Sequence, residues 1–118
     1  MDQQELEDRL VEFAANIVRL IELLPSIIAG RHFAHQLVRS GTSPALNYGE
    51  ARGAESRKDF IHKNKIILKE LRETLINLKI IDIVDLTGDN KTLLKQLLKE
   101  SDELVSIFVA TLKSLGNN

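Results

Sequence analysis

SRKDFIHKNKIILKELRETLINL, residues 56–78, decides the fold. Phe60, Ile67, Leu71, Leu75 and Leu78 recur at intervals of three, four or seven and so line one face of a helix, with Asn64 as a polar interruption. Ile61, Leu68 and Ile76 widen that stripe. Lys65, Lys69 and Arg72 lie at spacings of four and three on another side. Ser56 reads as the N-cap, with Asp59 in the first turn where the helix dipole favours an acid. Beyond Leu78 the run from Ile80 to Leu86 is rich in β-branched residues. A short strand there would have no partner strand, so the run reads as the helix end and a buried connection.

Upstream, Leu6, Leu10, Phe13, Ile17, Leu20 and Leu24 alternate at spacings of four and three, a second helical seam. Asp2 reads as its N-cap, with Glu5 completing a capping box. Pro25 stops it. Another helix starts near Ser26, with Ile28, Phe33, Leu37 and Val38 on its buried side. The segment Ser40-Gly41-Thr42-Ser43-Pro44 interrupts its pattern. Either Thr42 or Ser43 caps a new helix with Pro44 in its first turn, or one long helix continues with a kink at Pro44. The continuation is preferred, through Leu46, Tyr48 and Ala51 to Gly53. Downstream, Thr87-Gly88-Asp89-Asn90 is a turn, and Leu94, Leu97, Leu98, Leu104, Val105, Phe108 and Leu112 mark a last helix ending at Gly116.

The fold expected is all-α: an up-down-up-down four-helix bundle, a single domain over residues 1–118. The helices cover about 3–24, 26–52 with a kink near 44, 56–82 and 91–115. Ile66, Ile81, Ile83, Val84, Ile107 and Val109 exceed what one seam per helix needs and suggest a second apolar surface for self-association. A broad single core is the alternative.

Composition agrees. Hydrophobic residues make up 43% and charged residues 28% of 118, a globular balance. There is no cysteine, which excludes disulfide scaffolds, thiolate zinc sites and cysteine nucleophiles. Met1 to Glu5 is polar and acidic, unlike a secretory signal, and no apolar run approaches a membrane span, so a cytoplasmic location is the expectation.

Catalytic patterns are missing. Di-iron bundles use Glu-x-x-His pairs, and none occurs; Asp59-x-x-His62 is one near match. His32 and His35 share a helical face, but His-Glu-x-x-His is absent. No Gly-x-Ser-x-Gly elbow surrounds Ser40, Thr42 or Ser43, and no phosphate-loop glycine motif is present. The chain is not expected to be an enzyme, nor to hold a cofactor or metal.

Charge is uneven despite a total of −1. Residues 31–79 carry ten basic and five acidic groups, between acidic flanks. Such an island supplies an electrostatic footprint for nucleic acid. Arg31, Arg39, Arg52, Arg57, Lys58, Lys63, Lys65, Lys69 and Arg72 are the candidate phosphate contacts. With one tyrosine and no tryptophan, base stacking contributes little. A second series, Arg39, Ser43, Asn47 and Glu50, forms a polar stripe on a continuous helix, which Glu70 and Glu73 could meet. It reads either as a network fixing bundle register or as the lining of a pocket or oligomer axis.

Gln36 through Ala51, with its Arg39-Ser40-Gly41-Thr42-Ser43 core, resembles the signature of the four-helix-bundle family of 23S ribosomal RNA intervening-sequence proteins. Glu55 through Lys63, Glu70 through Thr74 and, less specifically, Glu100 through Leu104 are similar to further segments of that family. Members are encoded in insertions within ribosomal RNA genes or as free-standing bacterial genes. The resemblance implies a bundle that assembles into a ring-like pentamer. In relatives that serve diversity-generating retroelements it also implies binding of nucleic acid and a reverse transcriptase. Those relatives are strongly basic, and this chain is not. The reading that results is a non-enzymatic homo-oligomer that binds RNA or another nucleic acid through a basic surface. A protein-interaction scaffold or accessory subunit without nucleic-acid contact is the alternative.

Overall fold

The structure is a computed structural model, and it describes residues 1–116. Four helices follow in order: α1 (Gln3–Ile21), α2 (Ile28–Arg52), α3 (Arg57–Ile83) and α4 (Thr92–Ser114). The backbones of α1 and α2, α2 and α3, α3 and α4, and α4 and α1 lie side by side, while the diagonal helices touch only through side chains in the core, as where Tyr48 of α2 meets Phe108 of α4 edge to face. That is the antiparallel four-helix bundle, drawn out to 44 × 23 × 20 Å.

The caps are local. Asp2 accepts the backbone N–H of Glu5 at 2.8 Å, and Ser56 accepts that of Asp59 at 3.0 Å. α1 stops at Ile21, short of Leu24, because Pro25 disfavours helical geometry before it; the chain tightens through Leu23 N–H to Leu20 and Leu24 N–H to Ile21. α2 begins at Ile28, not at Ser26.

α2 runs unbroken through Pro44. No helix starts at Thr42, whose hydroxyl instead donates to the Val38 carbonyl one turn back, as mid-helix threonines do. The interruption in its apolar pattern has a packing cause. Gly30, Ser40, Gly41 and Pro44 are all buried, so small residues replace large ones on this face. A Cβ on Gly41 would lie 2.8 Å from two carbons of Ile17 on α1. On the other side, the Thr74 hydroxyl of α3 donates to Ser40 Oγ at 2.9 Å in full burial.

Leu10, Phe13, Ile17, Leu37, Ile67, Leu71, Leu78, Leu94, Leu104 and Phe108 form the centre of the core. The supposed second apolar surface is not made by the six residues named for it. Ile81 is fully buried, Ile66, Ile107 and Val109 are half-buried, and only Ile83 and Val84 are exposed. The connection after α3 is accordingly exposed at its start, at Val84 and Asp85, and turns inward only at Leu86 and Thr87. It is closed by a Schellman motif: Leu86 N–H reaches the Ile81 carbonyl, Asp85 N–H reaches Asp82, and Asp85 takes a left-handed φ of 52°. Exposed apolar side chains gather instead where α2 begins and α3 ends: Ile27, Ile28, Ile76, Ile80, Ile83 and Val84.

Candidate nucleic-acid interface

The nine candidate cations divide by what already holds them. Arg52 of α2 donates to Gln4 and Glu7 of α1, at 3.1 and 3.3 Å. Lys63 of α3 is bound to Glu50 of α2 at 3.0 Å. Arg31 donates to the Ser26 carbonyl ahead of α2. Arg39 donates to Gln36 and lies 4.0 Å from both Glu70 and Glu73. Arg39, Arg52 and Lys63 thus link neighbouring helices, while Arg31 is tied only to the turn before its own helix.

The remaining five belong to α3. Among the described residues, Lys58, Lys65, Lys69 and Arg72 make no ion pair, and Arg57 donates to the Leu115 carbonyl at the end of α4. Helical spacing places four of them, all but Arg57, in one line. Lys58, His62, Lys65, Lys69, Arg72, Ile76, Ile80 and Ile83 succeed one another three or four residues apart, and all eight are exposed. The outer face of α3 is therefore basic over its first half and apolar over its second. Diagonally across the bundle, α1 exposes Glu5, Asp8 and Glu12, also three and four apart.

The basic half ends in a concavity. Arg57, Lys58, Ile61, His62 and Lys65 of α3 face Leu115 and Gly116, just past the end of α4, around a cleft of about 600 Å³. Sequence reasoning missed it because it joins residues about fifty positions apart. The signal available was the antiparallel α3–α4 hairpin, which brings the end of α4 to the start of α3.

The polar stripe is only partly assembled. Asn47 donates to Ser43 at 2.8 Å within α2, and Glu50 turns to Lys63 rather than to Glu70 or Glu73. Arg39 is largely exposed, whereas Glu70 is buried and its Oε2 has no hydrogen-bond donor among the described residues. The stripe is a half-exposed groove edge, and the fully buried polar contact between α2 and α3 is Ser40 with Thr74. Among the described residues no three histidine, aspartate or glutamate side chains group so as to hold a metal ion. No described helix is long and apolar enough to cross a membrane.

No curated protein matches this chain. A solved structure from Bacteroides thetaiotaomicron, described as a protein with unknown function from the S23 ribosomal protein family, is 30% identical; the match covers 96% of this chain and 99% of that one, with a TM-score of 0.80. The family model described as 23S rRNA-intervening sequence protein matches residues 3–110. With nearly the whole bundle matched in both comparisons, the chain belongs to the 23S rRNA-intervening sequence protein family.

Proposed function

We propose that this protein is a non-enzymatic, self-associating helical bundle of the cytoplasm that binds RNA or another nucleic acid along the outer face of α3. The observation that supports it is the line of Lys58, Lys65, Lys69 and Arg72, which make no ion pair among the described residues, whereas carboxylates hold Arg39, Arg52 and Lys63. Lysine and arginine on an open helix face meet phosphates as charges, which positions a strand without reading its sequence. About four phosphate contacts correspond to a slope of log affinity against log salt of about −2.8 to −3.6. Raising salt fourfold then weakens binding by about 50- to 150-fold. Fluorescence anisotropy with a labelled RNA across a salt series tests this. Absence of binding at low salt, or binding indifferent to salt, refutes it.

Self-association is supported by the exposed isoleucines at the start of α2 and the end of α3. They continue the α3 line beyond its basic half, so a second copy there leaves the cations free. The resemblance to family members suggests five copies. Sedimentation showing only a 13.3 kDa species at micromolar concentration refutes this part. The same patch favours the scaffold reading if a captured protein partner survives nuclease treatment.

A further inference from the structure

The cleft between the start of α3 and the end of α4 differs in kind from the rest of the basic face. We infer that it receives the terminal phosphate of a nucleic-acid strand, so that the protein prefers a phosphorylated strand end to the body of the strand. This rests on the nucleic-acid reading above and adds a site and a chemical preference to it.

Three features carry the inference. First, Lys69 and Arg72 stand on a convex helix surface, whereas Arg57, Lys58 and Lys65 converge on one concavity with His62 among them. Among the described residues no carboxylate lines it. Convergent cations suit a compact, highly charged anion. A terminal phosphomonoester carries about −1.5 to −2 at neutral pH and three acceptor oxygens; an internal phosphodiester carries one negative charge.

Second, one of those cations is held in place. The Arg57 guanidinium spends one N–H on the Leu115 carbonyl, which ties α3 to α4. Its planar fork retains four further donors. A guanidinium fixed in this way presents them at little additional ordering cost, and charge-assisted bonds to phosphate are the strong ones.

Third, the cleft exceeds what a phosphate needs. Its volume of about 600 Å³ falls within the range of small-molecule sites. Ile61 and Leu115 supply apolar wall beside the cations. A terminal nucleotide has this pattern: a charged end and a flat, apolar-faced base.

The test uses a short labelled single strand in two forms, with a terminal phosphate and with hydroxyl ends only. The full chain is titrated by anisotropy at fixed low salt. The phosphorylated strand is expected to bind about tenfold more tightly, a difference of about 1.4 kcal/mol by the standard conversion. In Lys58→Ser/Lys65→Ser that preference collapses toward unity. In Lys69→Gln, which lies outside the cleft, both strands weaken together and their ratio stays. Equal affinity of the parent chain for the two strands overturns the inference and leaves the nucleic-acid reading standing. Binding of neither strand overturns both. A free nucleoside monophosphate that displaces the phosphorylated strand at the strand's own concentration also overturns it, since the cleft then serves a small phosphate ligand.

Discussion

Gly41→Ala should destabilise the bundle although alanine is the better helix former. Gly41 lies in the interior of α2, where replacement by alanine ordinarily gains about 1 kcal/mol. Here the added methyl would sit 2.8 Å from Cγ1 and Cγ2 of Ile17 and 3.1 Å from its Cβ. Ordinary carbon contacts are about 3.5–4.0 Å. Ile17 is fully buried and stiff about χ1, so neither γ-carbon swings aside. Overpacking of this kind costs about 1–3 kcal/mol, leaving a net loss near 1 kcal/mol after the helix gain. Ile17→Ala provides the control. It removes both γ-carbons, at a cost of about 2–5 kcal/mol for the cavity. In that background the γ-carbons are gone and only the 3.1 Å approach to the retained Cβ is left, which a shift of a few tenths of an ångström relieves, so Gly41→Ala should lie between neutral and a gain of about 1 kcal/mol. The cycle therefore predicts a coupling of about 1–2 kcal/mol, above the scatter of additive pairs. Urea unfolding followed by far-ultraviolet circular dichroism measures it. Protein concentration must be fixed, because self-association would make apparent stability depend on it. If Gly41→Ala stabilises equally in both backgrounds, α2 does not approach α1 as described.

Ser56→Ala removes the acceptor for the Asp59 N–H and should cost about 1 kcal/mol in the same unfolding assay, with Ser56→Asp restoring most of it. Glu100→Gln replaces one member of the two-bond pair in which Arg9 Nε and Nη2 each donate at 2.6 Å; the pair is partly exposed, so the expected loss is about 1 kcal/mol, shrinking in high salt. Burial pushes the Tyr48 phenol above its ordinary value of about 10, with Arg52 opposing and Glu7 reinforcing the shift. The folded state then binds the phenol proton more tightly than the unfolded chain does, so this contribution is complete below about pH 10 and is lost as pH rises through the folded value. Tyr48→Phe should therefore gain on the parent chain only above about pH 10, read as the difference between two unfolding curves; a gap independent of pH refutes the assignment.

Three of the four seams were legible because large apolar residues mark them at helical spacing. α2 was harder because its buried face is built from Gly30, Ser40, Gly41 and Pro44, which read as a breaker. Small size is the point at three of them: Gly41 lets α2 approach α1 at Ile17, Ser40 meets Thr74 of α3, and a Cβ on Gly30 would strike the Pro25 carbonyl just before the helix. The end of α3 was obscured for a different reason. Ile81 and Ile83 look alike in sequence, yet one is fully buried and the other 80% exposed, because the helix turns them to opposite sides just before it terminates. The basic island was visible as composition, but its division was not. Whether a cation meets Glu7, Glu50 or solvent depends on which helices adjoin, and spacing within one helix carries no record of that.

Net charge is a poor guide to this protein for a related physical reason. The total of −1 sums faces that do not share a field. α1 and α3 lie on a diagonal of the bundle, so the exposed Glu5, Asp8 and Glu12 cannot pair with Lys58, Lys65, Lys69 and Arg72 of the same chain. The cross-section is 23 × 20 Å, while the Debye length at physiological salt is about 8 Å. Separated by more than two screening lengths, each face presents its own potential. A polyanion approaching α3 therefore meets the cations of that face almost independently of the acids on α1. On the proposed nucleic-acid reading, the contacts themselves would be set over a few ångströms by side chains that no carboxylate of the same helix face has claimed, and the total charge would bear on them much less than on how far from the protein attraction begins.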